Sequence, residues 1–461
     1  MEPVRPAGGA ASGRSRQLSA GVGVTEGLAR LGQDPYSRRR PTRVTARMRR
    51  RRLRASLIVV VLLVLIIVVA SQGGSTPASG HSATVAASKK APIPYLALST
   101  ESERPAYVPG DAPQIPWPTT GQAAIAVPSA GVLETSGAET PVPIASLTKM
   151  MTLYLTLKQH PLTSRSAGPL IKMTAVDQEG YDNDVVSDAS SIEVQAGEVL
   201  NERQVLTALV VRSANNLADT LARWDAQSIP AFVERMNTEA AALGMDSTHY
   251  VDTNGLHPGS QSTARDQLVM AEHGLAEPGF ESIVDQPAVT LPITGTLPNY
   301  VTAVGSDGVI GVKSGFTDAA LACVVLAAVR QVGGKPVVIL AADLGQEAGL
   351  YYAQSEDLQM IAVVAQGLQL QTVVPAHHVV GTLSLKNASA DASGKLTAVP
   401  VETATALTAV AWPDTNVVVE EKTLKMGRSV KAGAEVGTLE AISAGGTPFS
   451  VPLIATASIR G

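Results

Sequence analysis

Ala145-Ser146-Leu147-Thr148-Lys149 heads the apolar run Met150-Met151-Thr152-Leu153-Tyr154-Leu155-Thr156-Leu157. Such a run predicts a helix with Ser146 near its first turn, and a spacing of three residues then places the Ser146 hydroxyl and the Lys149 amine on one face. A serine beside a neutral lysine is a nucleophile with a base at hand. It is the only Ser-x-x-Lys in the chain. Read blandly, the same tetrapeptide is a helix cap followed by a surface lysine, so its weight depends on its company further along.

The chain has 461 residues, enough for two to three domains and a large core. Hydrophobic residues make up 45% but aromatics only 3%, so aliphatic side chains must fill the interior. A single cysteine, Cys323, excludes an intrachain disulfide framework and a multi-cysteine metal site. Lying in Ala322-Cys323-Val324-Val325-Leu326, it reads as a core residue of a buried strand.

Charge is unevenly placed. Residues 1–54 hold fourteen Arg against Glu2, Glu26 and Asp34, a balance of +11, whereas the whole chain carries -4. A bare basic tail would suit nucleic acid, but this one leads into an uncharged run from Ala55 to Ala70. No nucleic-acid partner is therefore expected, and 55–72 reads as a transmembrane anchor with its arginines on the cytoplasmic side. The competing reading is a cleaved signal peptide ending near Ala70. A basic segment of this length is unusual there. Either way, the remainder is expected outside the cytoplasm of a bacterial cell, in the anchored case as a single-pass membrane protein.

Residues 73–114 are rich in Ser, Gly, Ala and Pro and read as a tether. A globular pattern begins near 115, with short strands at Gln122-Ala123-Ala124-Ile125-Ala126-Val127 and Gly131-Val132-Leu133-Glu134. Residues 200–245 read mostly as helix, and strands return at 308–313, 321–329 and 336–342. This order predicts an α/β (α+β) domain over 115–375, an antiparallel sheet beside a helical region. Residues 376–461, with short Val- and Thr-rich stretches between turn residues, read as a small C-terminal β domain. His377-His378 at its edge has no third ligand nearby, so no metal site is expected.

Two further motifs accompany Ser146. Ser213-Ala214-Asn215 follows a predicted helix, where a hydroxyl can relay a proton and an amide can hold a carbonyl. Lys313-Ser314-Gly315-Phe316-Thr317 ends a predicted strand and supplies a cation, a hydroxyl and a glycine that lets another backbone approach. Each alone is an ordinary loop or strand end.

Taken together and in order, Ser146-x-x-Lys149, Ser213-x-Asn215 and Lys313-Ser314-Gly315 resemble the three signatures of the penicillin-binding protein and serine β-lactamase superfamily. The segments Met236-Asn237, Leu243-Gly244-Met245, Asn254-Gly255-Leu256 and Ser262-Thr263-Ala264-Arg265-Asp266 narrow the resemblance to the low-molecular-mass D-alanyl-D-alanine carboxypeptidases. The resemblance implies a β-lactamase/transpeptidase-like fold, peptidoglycan stem peptides as substrate, β-lactams as inhibitors and no cofactor. It also implies roles: Ser146 as nucleophile, Lys149 as base, Ser213 as proton relay and Asn215 as orienting amide. Lys313, Ser314, Gly315 and Thr317 would hold the substrate, and the N–H groups of Ser146 and Phe316 would form the oxyanion hole. Lys149 works only if neutral, with Lys313 expected as the cation that lowers its pKa.

Two departures stand out. The family commonly has Lys-Thr-Gly where this chain has Lys313-Ser314-Gly315, and Asp where it has Asn216. The change at Asn216 is expected to remove a charge beside the site. Three rivals remain: a class A-like β-lactamase using Glu234 for deacylation, a catalytically silent wall-binding scaffold, and a Ser-His-Asp hydrolase drawing on His257 or His273. Glu234 follows Ser213 too closely for the first role. The joint retention of five motif residues speaks against the second. No Gly-x-Ser-x-Gly supports the third.

Overall fold

The computed structural model describes residues 95–100, 105–137, 139–386, 397–443, 446 and 448–460. The basic segment and the apolar run read as an anchor lie outside the described residues. Among the described residues, no helix is long and apolar enough to cross a membrane.

Strands β1 (Tyr95–Thr100) and β2 (Ala106–Val108) come first, followed by the hairpin β3 (Gln122–Val127) and β4 (Val132–Thr135). A 3-10 turn, Ala145–Leu147, leads into α1 (Thr148–Gln159). The helical region continues with α2 (Ala175–Val186), α3 (Glu202–Val211), α4 (Asn215–Ala226), α5 (Ile229–Ala242), α6 (Ala264–Ala276) and α7 (Phe280–Val284). Strands β5 (Val309–Thr317), β6 (Leu321–Val332) and β7 (Lys335–Gln346) then complete an antiparallel sheet ordered β5-β6-β7-β3-β4. Helix α8 (Leu350–Gly367) covers its far face.

Local chemistry explains the helix starts. Thr174 with Asp177 and Asn201 with Gln204 form reciprocal capping boxes at α2 and α3, satisfying otherwise orphaned N–H groups. Helix α1 lacks a polar face: every residue from Thr148 to Leu157 is buried, which places it at the centre of the domain. The sheet is covered on both sides, so its strands read as continuous apolar runs. In β6, Cys323, Val325 and Ala327 face the helical region, while Val324, Leu326 and Ala328 face α8. Cys323 is fully buried, and burial pushes its thiol up to about 12, so it is a packing residue.

The C-terminal region comprises β8 (Gln369–Val374), β9 (Val379–Lys386), β10 (Ala398–Thr403), β11 (Leu407–Ala411), β12 (Thr415–Thr423), β13 (Glu435–Ser443) and β14 (Phe449–Ala455). Its larger sheet is ordered β1-β9-β10-β14-β13-β12-β2, while β8 pairs with β11. Two sequence expectations are corrected here. Tyr95–Thr100 and Ala106–Val108, read as tether, are the two edge strands of this sheet, pairing with β9 and β12. The β region also begins at β8, ahead of the expected start at 376. His377 sits in a turn and pairs its Nδ1 with Glu402 at 3.0 Å; among the described residues no His, Cys, Asp or Glu cluster could hold a metal ion.

Candidate active site

The buried amine of Lys149 is the hub. Its Nζ donates to Ser146 Oγ at 2.8 Å, Asn215 Oδ1 at 2.7 Å and the backbone oxygen of Asn254 at 2.8 Å. Three acceptors satisfy three N–H bonds, which orients the amine without a carboxylate partner. Burial lowers its pKa to about 7, against the upward pull of Asp252, Asp184 and Asp219. The expected role of Lys313 in this shift is corrected: removal from water dominates. Lys313 is itself fully buried, and burial first, then Lys149, pushes its amine well below the usual lysine range. Its Nζ donates to the carbonyl of Ser314 at 2.6 Å.

Ser213 lies between α3 and α4 with a left-handed backbone, φ 56°. The residue is 5% exposed and lines the cleft, and its buried hydroxyl has no hydrogen-bond partner. Asn215 is the first residue of α4. The Lys313-Ser314-Gly315 motif lies in the second half of β5, which runs on to Thr317, past the predicted strand end at Lys313. Strand β5 is an edge of the sheet and passes directly against the Ser146 turn: a Cβ on Gly315 would stand 2.6 Å from the Ser146 nitrogen. Only glycine allows that approach. Phe316 is 53% exposed, and with Thr317 it forms the cleft wall on this side.

The cleft, about 490 Å³, therefore gathers Ser146, Ser213, Asn215, Ser314, Gly315, Phe316 and Thr317, with Lys149 and Lys313 beneath. Its opposite wall is the segment 187–190, and Leu256, Tyr300 and Leu350 form an apolar rim. Apart from Leu256, which the sequence offers only within Asn254-Gly255-Leu256, these residues carry no signal in the sequence. Nor does the carbonyl of Asn254, whose contact leaves no side-chain signature. The one available signal was Asn254-Gly255: at φ 82°, Gly255 packs so closely on the Ala145 carbonyl that a Cβ would collide with it. Tyr300 is held by Arg212, whose guanidinium lies 4.1 Å from its ring centre.

Asn216 does not remove a charge from the reacting centre. Its amide points away, accepting from the Ile192 N–H at 3.1 Å and donating to the Ile192 oxygen at 2.8 Å. Glu234 is exposed on α5 beside Lys158 and Arg235, away from the cleft. His257 and His273 are exposed and do not line it either.

A sheet flanked by helices on one side and a single helix on the other, with a buried lysine bonded to a serine at their junction, is the arrangement of the penicillin-binding, serine-peptidase class. The comparisons agree. The D-alanyl-D-alanine carboxypeptidase family (peptidase family S11) matches over residues 115–343. A D-alanyl-D-alanine carboxypeptidase of a Streptomyces species is 30% identical over 224 residues, covering 45% of this chain and 74% of that protein. The carboxypeptidase DacB2 of Mycobacterium tuberculosis is 33% identical over 198 residues, covering 39% of this chain and 65% of its own length. Among solved structures, a peptidoglycan synthesis regulatory factor (PBP3) from Streptococcus pneumoniae superposes with a TM-score of 0.57 at 21% identity, over 75% of this chain and all of that one. Penicillin-binding protein 6B from Escherichia coli gives 0.53 at 20% identity, over 76% and 99%. These two share the fold. The chain belongs to the D-alanyl-D-alanine carboxypeptidase family.

Proposed function

We propose that this protein removes the terminal D-alanine from peptidoglycan stem peptides through an acyl-enzyme on Ser146, outside the cytoplasmic membrane, with residues 55–72 as its anchor. The observation that carries this reading is the 2.8 Å bond between a fully buried amine, pKa about 7, and the Ser146 hydroxyl. Neutral Lys149 takes the Ser146 proton as Oγ attacks the carbonyl between the two D-alanines. The Ser146 and Phe316 N–H groups meet the developing oxyanion. Ser213, whose hydroxyl has an open valence toward the cleft, passes the proton to the departing amine. Water then attacks the ester with Lys149 again as base. The substrate carboxylate lies beside Lys313 and Ser314, and its charge favours the ammonium form that burial disfavours. A β-lactam, which presents the same carbonyl and carboxylate, acylates Ser146.

The test is intact-mass measurement of the full chain after penicillin, with a D-alanine release assay on diacetyl-Lys-D-Ala-D-Ala. One slowly lost adduct, absent in Ser146→Ala, together with released D-alanine is the expected result. Rapid turnover of the drug would indicate a β-lactamase instead. Neither adduct nor D-alanine would leave the scaffold reading in front.

A further inference from the structure

The segment after α2 forms one wall of the cleft, and its attachment is unusually specific. Ser187 Oγ donates to the Asn183 carbonyl at 2.8 Å, and the Ala189 N–H to the Asp184 carbonyl at 2.8 Å. Beyond the wall, the chain is fastened to the start of α4 by two consecutive asparagines. The Asn215 N–H donates to the Ser190 oxygen at 2.9 Å, and Asn216 takes both backbone groups of Ile192 with its side-chain amide. Asn216 is 2% exposed, so these bonds have no water to replace them. The same Asn215 that fixes the wall through its backbone holds Lys149 through its side chain.

We propose that Asn216 is a positioning residue: its amide clamps Ile192 and thereby holds wall 187–190 at the distance from β5 that the substrate requires. The clamp needs one donor and one acceptor on the same side chain. An ionised aspartate offers two acceptors and would oppose the Ile192 oxygen, whereas a protonated one reproduces both bonds, its carbonyl accepting and its hydroxyl donating. Asparagine thus keeps the wall docked independently of pH. The charged neighbours are Asp184 on α2, toward which the Asn216 N–H points, Asp219 one turn further along α4, and Lys149 on α1; Asp177 and Arg223 pair with each other at 2.7 Å. Asp184, and Asp219, which accepts from the Thr253 hydroxyl, would raise the pKa of an aspartate placed at 216.

The experiment compares the full-length parent, Asn216→Asp and Asn216→Leu at pH 5 and pH 8. Hydrogen exchange in peptides spanning 186–194 reads the clamp directly, and kcat and KM for D-alanine release read its consequence. The kinetic arm rests on the carboxypeptidase reading; the exchange arm does not. Expected is parent-like protection of Asn216→Asp at pH 5 and about tenfold less at pH 8, with KM rising by a similar factor and kcat nearly unchanged. Asn216→Leu should lose protection at both. The parent carries the same Asp184 and so controls for its titration. Undiminished protection of Asn216→Asp at pH 8, or a fall in kcat alone, overturns the proposal. If the aspartate variant melts at pH 8, recovery of local protection at pH 5 decides in favour and its absence against. A parent that neither releases D-alanine nor takes up penicillin refutes the carboxypeptidase reading and leaves the exchange result to judge the clamp.

Discussion

The carbonyl oxygen of Asn254 accepts a hydrogen bond from the Lys149 amine at 2.8 Å, joining the loop before Gly255 to the nucleophile helix from below. Ser146 and Asn215 occupy the other two positions and fix the amine's geometry, while burial lowers its pKa to about 7. The acylation rate by penicillin should therefore rise with pH through about 7 and level off above it, as the free enzyme loses that proton. Lys149→Met should lower kcat/KM about 10²- to 10⁴-fold, and Lys149→Arg should not restore it, because a guanidinium stays charged. Stopped-flow acylation across pH 5 to 9 checks both.

Ser213 separates stability from activity. Its buried hydroxyl makes no hydrogen bond and its backbone is left-handed. Replacing it with glycine relieves both, so Ser213→Gly should raise stability by roughly 1 kcal/mol while lowering kcat/KM. Denaturant melts beside the D-alanine assay would show it; a variant that lost stability along with activity would contradict this account.

Gly315→Ala places a methyl 2.6 Å from the Ser146 nitrogen, where backbone must shift. Acylation should be abolished or nearly so. Circular dichroism and the melting temperature should stay close to the parent's, since β5 is an edge strand and can move outward.

The layer between the sheet and α8 predicts a stability that depends on pH. Asp343 continues the β7 row Val337, Ile339, Ala341 that faces α8, and Asp357 lies on the helix stripe Ala353, Met360, Ile361, Val364 that faces back. Both carboxyls are fully buried without hydrogen-bond partners, and Glu356 adds a third nearby. Burial pushes Asp343 up to about 8 and Asp357 well above the usual carboxylate range. The folded state therefore binds protons that the unfolded chain has released above about pH 4. This stabilising contribution is complete below that pH and is lost as pH rises through about 8. The melting temperature of the parent should fall over that window more steeply than that of Asp357→Asn. The buried lysines act in the opposite sense above about pH 7, which is why the difference between the two proteins is the measurement.

Much of the site was legible because its chemistry demands side chains at fixed spacing. Ser146 and Lys149 share a helical turn, and Lys313-Ser314-Gly315 needs a bare backbone beside the nucleophile. The parts contributed by backbone were not legible: the Asn254 carbonyl, the wall 187–190 and the packing of Gly255 under Ala145 depend on tertiary placement. Asn216 was noticed for the charge it lacks, whereas its position matters for the two hydrogen bonds it makes. The apolar runs of β6 and β7 announced a sheet buried on both faces. Tyr95–Thr100 gave no such announcement, since an edge strand with one fully buried residue carries almost no alternation.

Strands β1 and β2 precede the catalytic sheet in sequence yet close the C-terminal sheet at both edges. The stretch that matches the family, 115–343, thus lies between the two parts of the chain that build this sheet. A truncation starting at 115 would leave β9 and β12 as bare rims, with unpaired backbone groups on two sides ready to recruit other chains, and should express as aggregates; one starting at 90 should stay monodisperse. Residues 95–108 are the hem of the C-terminal sheet, and a cut that removes them unravels a region more than 250 residues further along the chain.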